Sequence, residues 1–364
     1  MIKTTRRQLM KNGGALAAVS ALPTPALTAG TTKEISVLVG GGDWGKANIA
    51  AYVEPFQDET GIKVNPITDQ IKLAQVELMV KSSNISVDVF TYGQSGAETL
   101  NARGLAEDVD YSIYDEAQLA GLTDFSKKPF GVAALVYSYV MVLNTEKFPE
   151  GEPRPESWTD FWNLNKFPGT RTLISGRAGT EGPWEESLMA SGVMPGSVYP
   201  MDIDSIFASL DKMKGEVRRW WTVGSEIQQI MHDGAFDMTN SYDGRAQLLV
   251  NQGFPLEIVR NQAKLNWDYW MMPKGGPNAE AAQRFIQFAT RADRQAEFAK
   301  LIPYGPSNLD AYDSIPEERA HQLASHPDYI ADSLPIQASW YTSHKGDGRT
   351  NVEHLIDRWN AWTL

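Results

Sequence analysis

The chain has 364 residues, 42% of them hydrophobic and 21% charged, enough for two lobes with cores of their own. It contains no cysteine, which excludes disulfides, thiolate metal sites and cysteine nucleophiles. Its formal charge of −12 argues against a phosphate backbone or an anionic membrane surface as partner.

Residues 1–30 read as an export signal rather than as part of the fold. "TTRRQLMK" places Arg6 and Arg7 ahead of the apolar run "GALAAVSAL", and Thr28, Ala29 and Gly30 suit a signal peptidase. The paired arginines resemble a twin-arginine signal, which implies export of an already folded chain to the periplasm. An ordinary secretory signal with two incidental arginines is the alternative. Losing Lys3, Arg6, Arg7 and Lys11, and no acid, takes the formal charge from −12 to −16. No apolar run in the mature chain approaches the roughly 18 residues needed to span a membrane.

Residues 35–39 are predicted as a strand by their apolar, β-branched content. The loop that follows holds Gly40, Gly42 and Gly45 in a G-x-G-x-x-G pattern, and Lys46–Thr60 is predicted as a helix closed by Gly61. Strand, glycine loop and helix together raise the possibility of an exported nicotinamide oxidoreductase. Two features oppose it. Asp43 and Trp44 sit inside the turn, where a pyrophosphate needs bare backbone N–H groups. The second strand, "IKVNPI", also ends without the acid that would bind a ribose. A helix start beside Trp44 offers instead a ligand platform: an indole face for an ammonium group and free N–H groups for a carboxylate.

"IKLAQVELMVKSS" is predicted as a helix and "VDVFTY" as the third strand. The alternation of strands and helices implies an α/β fold with a covered parallel sheet. "FGVAALVYSYVMVLN" (Phe130 to Asn144) is too long for one average strand and is expected to pass between lobes. After the proline-rich "PEGEPRPESW" a second α/β series begins with "TRTLIS" and a helix from Trp184 to Ala190. "LEIVRN" and "NWDYWMMP" read as strands, "NAEAAQRFIQFATRADRQAEFAKLI" as an amphipathic helix, and Leu355, Ile356, Trp359 and Trp362 mark a terminal helix. The five histidines show no metal-ligand spacing such as H-E-x-x-H, and no nucleophile–base motif stands out, so neither an enzyme centre nor a cofactor is expected.

Several stretches, taken in order, resemble the solute-binding proteins of ABC importers, in the branch that contains polyamine receptors. They are "YVEPFQDETGIKV", "FGVAALVYSYVMVLNTEKF", "ESWTDFWNLNKFPGTRTL", "DMTNSYDGRAQ", "DYWMMPKGGPN" and "YGPSNLDAY". The resemblance implies a two-lobed periplasmic-binding-protein fold of type II, each lobe a sheet flanked by helices and joined by crossover segments. Lobe 1 is expected over 31–137 plus about 270–305, and lobe 2 over about 138–269 plus 306–364. It further implies a monomer that closes on one small molecule and docks on a permease with its ATPase. A ferric-ion receptor of the same fold would present adjacent tyrosines, whereas here Tyr137 and Tyr139 are the nearest pair. A receptor serving signalling alone remains a further alternative.

The resemblance also implies the site. Asp268, between Trp267 and Trp270, falls where similar polyamine receptors carry a carboxylate for an ammonium group. Tyr242 takes the place of an aromatic that covers the ligand's methylenes. Ser138 and Tyr304 fall at ligand positions, and Trp44, Tyr92, Gln94 and Trp221 complete the expected cleft. The departures matter as much. Lys46 stands near the place of one polyamine-binding acid, and "GRAGTEGPW" brings Arg177 near the place of others, although a shift of a few residues would bring in Glu181. Exchanging acids for bases converts a dication site into one for a zwitterion, with Arg177 on a carboxylate and Asp268 on an amine. The expected ligand is therefore a small ω-amino acid such as 4-aminobutyrate, with putrescine or spermidine as the alternative.

Overall fold

The computed structural model describes residues 33–364, and residues 1–30, expected to be an export signal, lie outside them. Ten strands are found among the described residues: β1 (Glu34–Leu38), β2 (Lys63–Ile67), β3 (Phe90–Gly93), β4 (Lys127–Lys128), β5 (Gly131–Asn144), β6 (Arg171–Ile174), β7 (Val217–Trp221), β8 (Met238–Tyr242), β9 (Leu256–Met271) and β10 (Leu334–Pro335). β1 and β2 pair in parallel, and Val37 bridges to Val89 just ahead of β3. β3 runs antiparallel to the end of β9. Beyond the crossover, β5 pairs with β8, followed by parallel β6 and β7. Each lobe is thus a sheet flanked by helices.

The two longest strands join the lobes. β5 and β9 lie antiparallel over most of their length, so the second half of β5 and the first half of β9 belong to one lobe and their other halves to the other. Every residue of β5 from Gly131 to Leu143 is buried, because helices cover both faces of the sheet there. Two irregularities, between Ala133 and Leu135 and between Tyr139 and Met141, let β5 bend as it crosses. "LEIVRN" and "NWDYWMMP" form one strand rather than two; Gln262, at a left-handed φ of 58°, marks the bend between them.

Two other boundaries differ from expectation. The first helix starts at Gly42, ahead of Lys46, and continues through a π-helical stretch (Ile49–Val53) into Glu54–Thr60. Gly61 ends it in the left-handed conformation, as its sequence position suggests. The amphipathic segment after residue 278 is two helices, Ala279–Ala289 and Ala292–Leu301, interrupted at Thr290. Among the described residues no helix is long and apolar enough to cross a membrane.

Candidate functional site

The glycine loop is shaped by its tryptophan. Gly40 has a φ of 74°, and a Cβ there would lie 2.8 Å from the Trp44 ring. The indole therefore lies where a pyrophosphate would approach the loop. Its edge packs on Phe298 at 5.4 Å and on Tyr304 at 5.2 Å between ring centres. From Trp44 an aromatic wall continues through Tyr304 and Tyr137 (6.4 Å), Tyr137 and Tyr242 (6.2 Å), and Tyr242 and Tyr139 (4.8 Å). It passes from the loop after β1 to the crossover strand β5 and on to the end of β8. Trp221 is fully buried behind Tyr242, with ring centres 5.8 Å apart, and its Nε1 donates to Asn240 at 3.1 Å. Its place is to hold Tyr242.

β9 supplies the polar floor. Strand alternation sends Leu265, Trp267, Tyr269 and Met271 into an apolar cluster with Phe90 and Phe130. Asn266 and Asp268 therefore point to the other face, where Asn266 lines a cavity of about 330 Å3 with Gly93, Gln94, Ala178, Thr180 and Glu181. Asn266 accepts from Gln94 Nε2 at 2.9 Å and donates to the Tyr137 hydroxyl at 2.9 Å. The Tyr137 proton is left free to donate. Asp268 lies opposite Gly93 of β3, whose missing side chain leaves room beside the carboxylate. Desolvation first, and the neighbouring charge of Glu181 second, push the Asp268 carboxyl up to about 7. Among the described residues its side chain has no hydrogen-bond or ion-pair partner. Glu181 is held by the Tyr242 hydroxyl, which donates to it at 3.0 Å. Two carboxylates thus share one end of an aromatic cleft, where a single cation would relieve both.

The opposite charge lies at the ends of two helices. Gly224–His232 and Asp243–Asn251 both start beside Arg245. The Arg245 guanidinium packs where a Gly224 Cβ would be, stands 5.9 Å from the Tyr242 ring centre, and donates to Gln228 at 2.8 Å. Among the described residues it has no carboxylate within ion-pair distance. Gly244, next to it, approaches Tyr304 closely. Helix N-termini and a guanidinium together favour an anion at this edge of the wall.

One buried cluster braces the site. Lys264, fully buried on β9, donates to Gly182 O at 2.8 Å and meets Glu185 at 3.1 Å and Glu186 at 3.0 Å. It also lies 5.0 Å from the Tyr139 ring centre. Burial pulls the ammonium's pKa down, but the two carboxylates more than offset it and leave it above its ordinary value. Tyr341 donates to Glu185 at 2.6 Å, and Tyr199 donates to it as well. The turn carrying Glu181 is thereby tied to the crossover strand.

Other expected residues lie elsewhere. Trp267 faces the apolar cluster, against Phe125 at 4.3 Å, because its strand position is odd with respect to Asp268. Tyr92 gives its hydroxyl to Ile71 O. Lys46 is exposed and folded onto Asp43 at 3.0 Å. Arg177 is exposed at the start of the 3-10 turn Gly176–Glu181 and is not part of the cavity lining that Ala178, Thr180 and Glu181 provide. Ser138 is buried; its N–H donates to Asp243 at 3.0 Å and its hydroxyl has no partner among the described residues. Arg245, Tyr137 and Asn266 were missed in the sequence. Arg245 follows Tyr242 by three residues in "SYDGRA", a spacing that puts both at one helix start.

A two-lobed frame with one polarised, aromatic cleft on its crossover strands defines a solute receptor. The chain belongs to the bacterial extracellular solute-binding proteins, whose family pattern matches residues 51–326. It is 31% identical over 339 residues to a gamma-aminobutyric acid-binding protein of Pseudomonas aeruginosa, covering 91% of each chain. A spermidine/putrescine-binding periplasmic protein of Salmonella typhimurium is 22% identical, covering 88% of this chain and 90% of the other. Among solved structures, an ABC transporter substrate-binding protein from Bradyrhizobium japonicum superposes with a TM-score of 0.81 at 30% identity, covering 91% of this chain and 99% of that one. A GABA receptor superposes at 0.78 and 27% identity, covering 91% and 98%. Nothing among these supports the oxidoreductase alternative.

Proposed function

We propose that this chain is the exported receptor of an ABC importer for a short ω-amino acid, 4-aminobutyrate or a close analogue. The observation that carries the reading is the charge separation along the aromatic wall. Asp268 and Glu181 take the ammonium end, Tyr242, Tyr137 and Tyr304 cover the methylenes, and Arg245 with its helix ends takes the carboxylate. Arg245 fills the role expected of Arg177, whose side chain is exposed. The 31% identical gamma-aminobutyric acid-binding protein supports the same ligand class. Contacts from both lobes bias the hinge at β5 and β9 toward the closed form, and no bond is made or broken. The closed monomer then delivers its ligand to a membrane permease and its ATPase.

A diamine is the second reading, favoured by the presence of two carboxylates. Because Glu181 acts directly on Asp268, the two serve one cationic end rather than two ends of a longer dication. Calorimetric titration with butylamine and with butyrate, each lacking one end of the ligand, tests the division of labour. Both should bind at least tenfold more weakly than 4-aminobutyrate; butylamine binding as tightly as the amino acid would remove the role given to the anion end.

A further inference from the structure

The segment after β9's helices carries a group of side chains that solute capture does not use. His321, His326 and Asp328 each offer a ligand atom, and these atoms lie within 4.8 Å of one another. We propose that they form a site for a borderline divalent transition metal, Zn2+ or Ni2+.

The geometry is close to what coordination needs. Ligand atoms each about 2.1 Å from one ion can be no more than about 4.2 Å apart. His326 Nδ1 and Asp328 Oδ2 are 3.7 Å apart, already within that limit. The His321 ring is tilted over that of His326 with centres 4.5 Å apart, and as an exposed side chain it can turn to close the remaining gap. The backbone beneath is fixed. Tyr329 donates to His321 O at 3.1 Å, and His326 caps the short helix Pro327–Ile330 by accepting from Asp328 N at 3.2 Å. A metal on Nδ1 would replace that cap.

Burial first, then His321 and Arg260, hold the His326 imidazolium below its ordinary pKa, while Asp328 opposes them. Arg260, a cation that acts on His326, is engaged: it donates to Gln322 O at 2.7 Å, lies 4.7 Å from the Tyr329 ring centre, and faces Asp243 at 3.5 Å. Two imidazoles and one carboxylate favour zinc or nickel over calcium or magnesium, which prefer oxygen alone.

The test is calorimetric titration of the chelator-treated mature protein with ZnCl2 and, separately, NiCl2. One site per chain is expected, weakened at least tenfold by His326→Gln and by His321→Gln and unchanged by His354→Gln. Because His326 also caps a helix, His321→Gln, in an exposed side chain, keeps the result interpretable if the first variant unfolds. No saturable binding to the native protein, or equal affinity in His321→Gln, would overturn the proposal. Loss of binding in His354→Gln instead would overturn it as well, by moving the metal to the His354–Asp347 pair.

Discussion

Replacing Asp268 by Asn should weaken ligand binding and strengthen the unliganded fold at the same time. The Asp268 carboxyl, raised from 3.8 to about 7, binds its proton more tightly folded than unfolded. Folding is therefore penalised progressively as pH rises from about 4 to 7, and fully above 7. Three pKa units correspond to about 4 kcal/mol, which its partial exposure to the cleft reduces to about 2–4. Asn carries no charge, so the unliganded variant should melt several degrees higher than the native protein at pH 8. The ligand needs that charge: a charge-assisted hydrogen bond lost at the ammonium costs about 2–3 kcal/mol, or about 30–150-fold in Kd. The native protein should also show a pH dependence that the variant lacks. A primary ammonium and a carboxylate on a saturated chain keep their charges between pH 5 and 8, so Asp268 dominates the change. About half of the unliganded molecules are ionised at pH 7 and about one in a hundred at pH 5, so affinity should fall about fifty-fold, roughly 2.3 kcal/mol. Titration calorimetry from pH 5 to 8, with melting curves of the unliganded proteins, measures both. A native affinity that stays flat over this range, or a variant that is less stable at pH 8, would refute the reasoning.

Arg245→Met should cost at least tenfold in affinity for 4-aminobutyrate and little for butylamine, read by competition; equal losses for both would point to a structural role. Lys264→Met leaves Glu185 and Glu186 buried without their cation and should cost about 3–5 kcal/mol in urea unfolding. Restoration by Glu186→Gln in the same chain is expected in part, and a single-variant loss under about 1 kcal/mol would show that the cluster is already neutral. Gly176→Ala places a methyl against the rings of Trp184 and Trp359 and should destabilise by about 1–3 kcal/mol; unchanged unfolding would mean the two rings can part.

The order of strands and helices was legible because apolar periodicity carries it, and β5 was legible because a 14-residue apolar run has no other use in a sheet protein. The motif around "DYWMMP" put Asp268 forward, and in the fold its carboxylate has no hydrogen-bond or ion-pair partner among the described residues. The anion end was harder to place. Arg177 and Lys46 are adjacent in sequence to cleft elements, yet both side chains leave for solvent. Arg245 sits on a helix start whose approach to Tyr304 depends on Gly244 and on a chain segment sixty residues away. Trp267 and Asp268 show the period-2 limit most plainly, since neighbours in a strand face opposite ways. The Lys264 cluster joins three distant segments, and no local pattern announces it.

The proposed function requires a cleft that binds one positive and one negative end. Titration of the mature protein at pH 8 with 4-aminobutyrate and with putrescine, molecules of similar length that differ at one end, measures this most directly. Micromolar or tighter binding of 4-aminobutyrate at one site per chain, with putrescine at least a hundredfold weaker, is the expected result. Tight putrescine binding with no response to 4-aminobutyrate would contradict it.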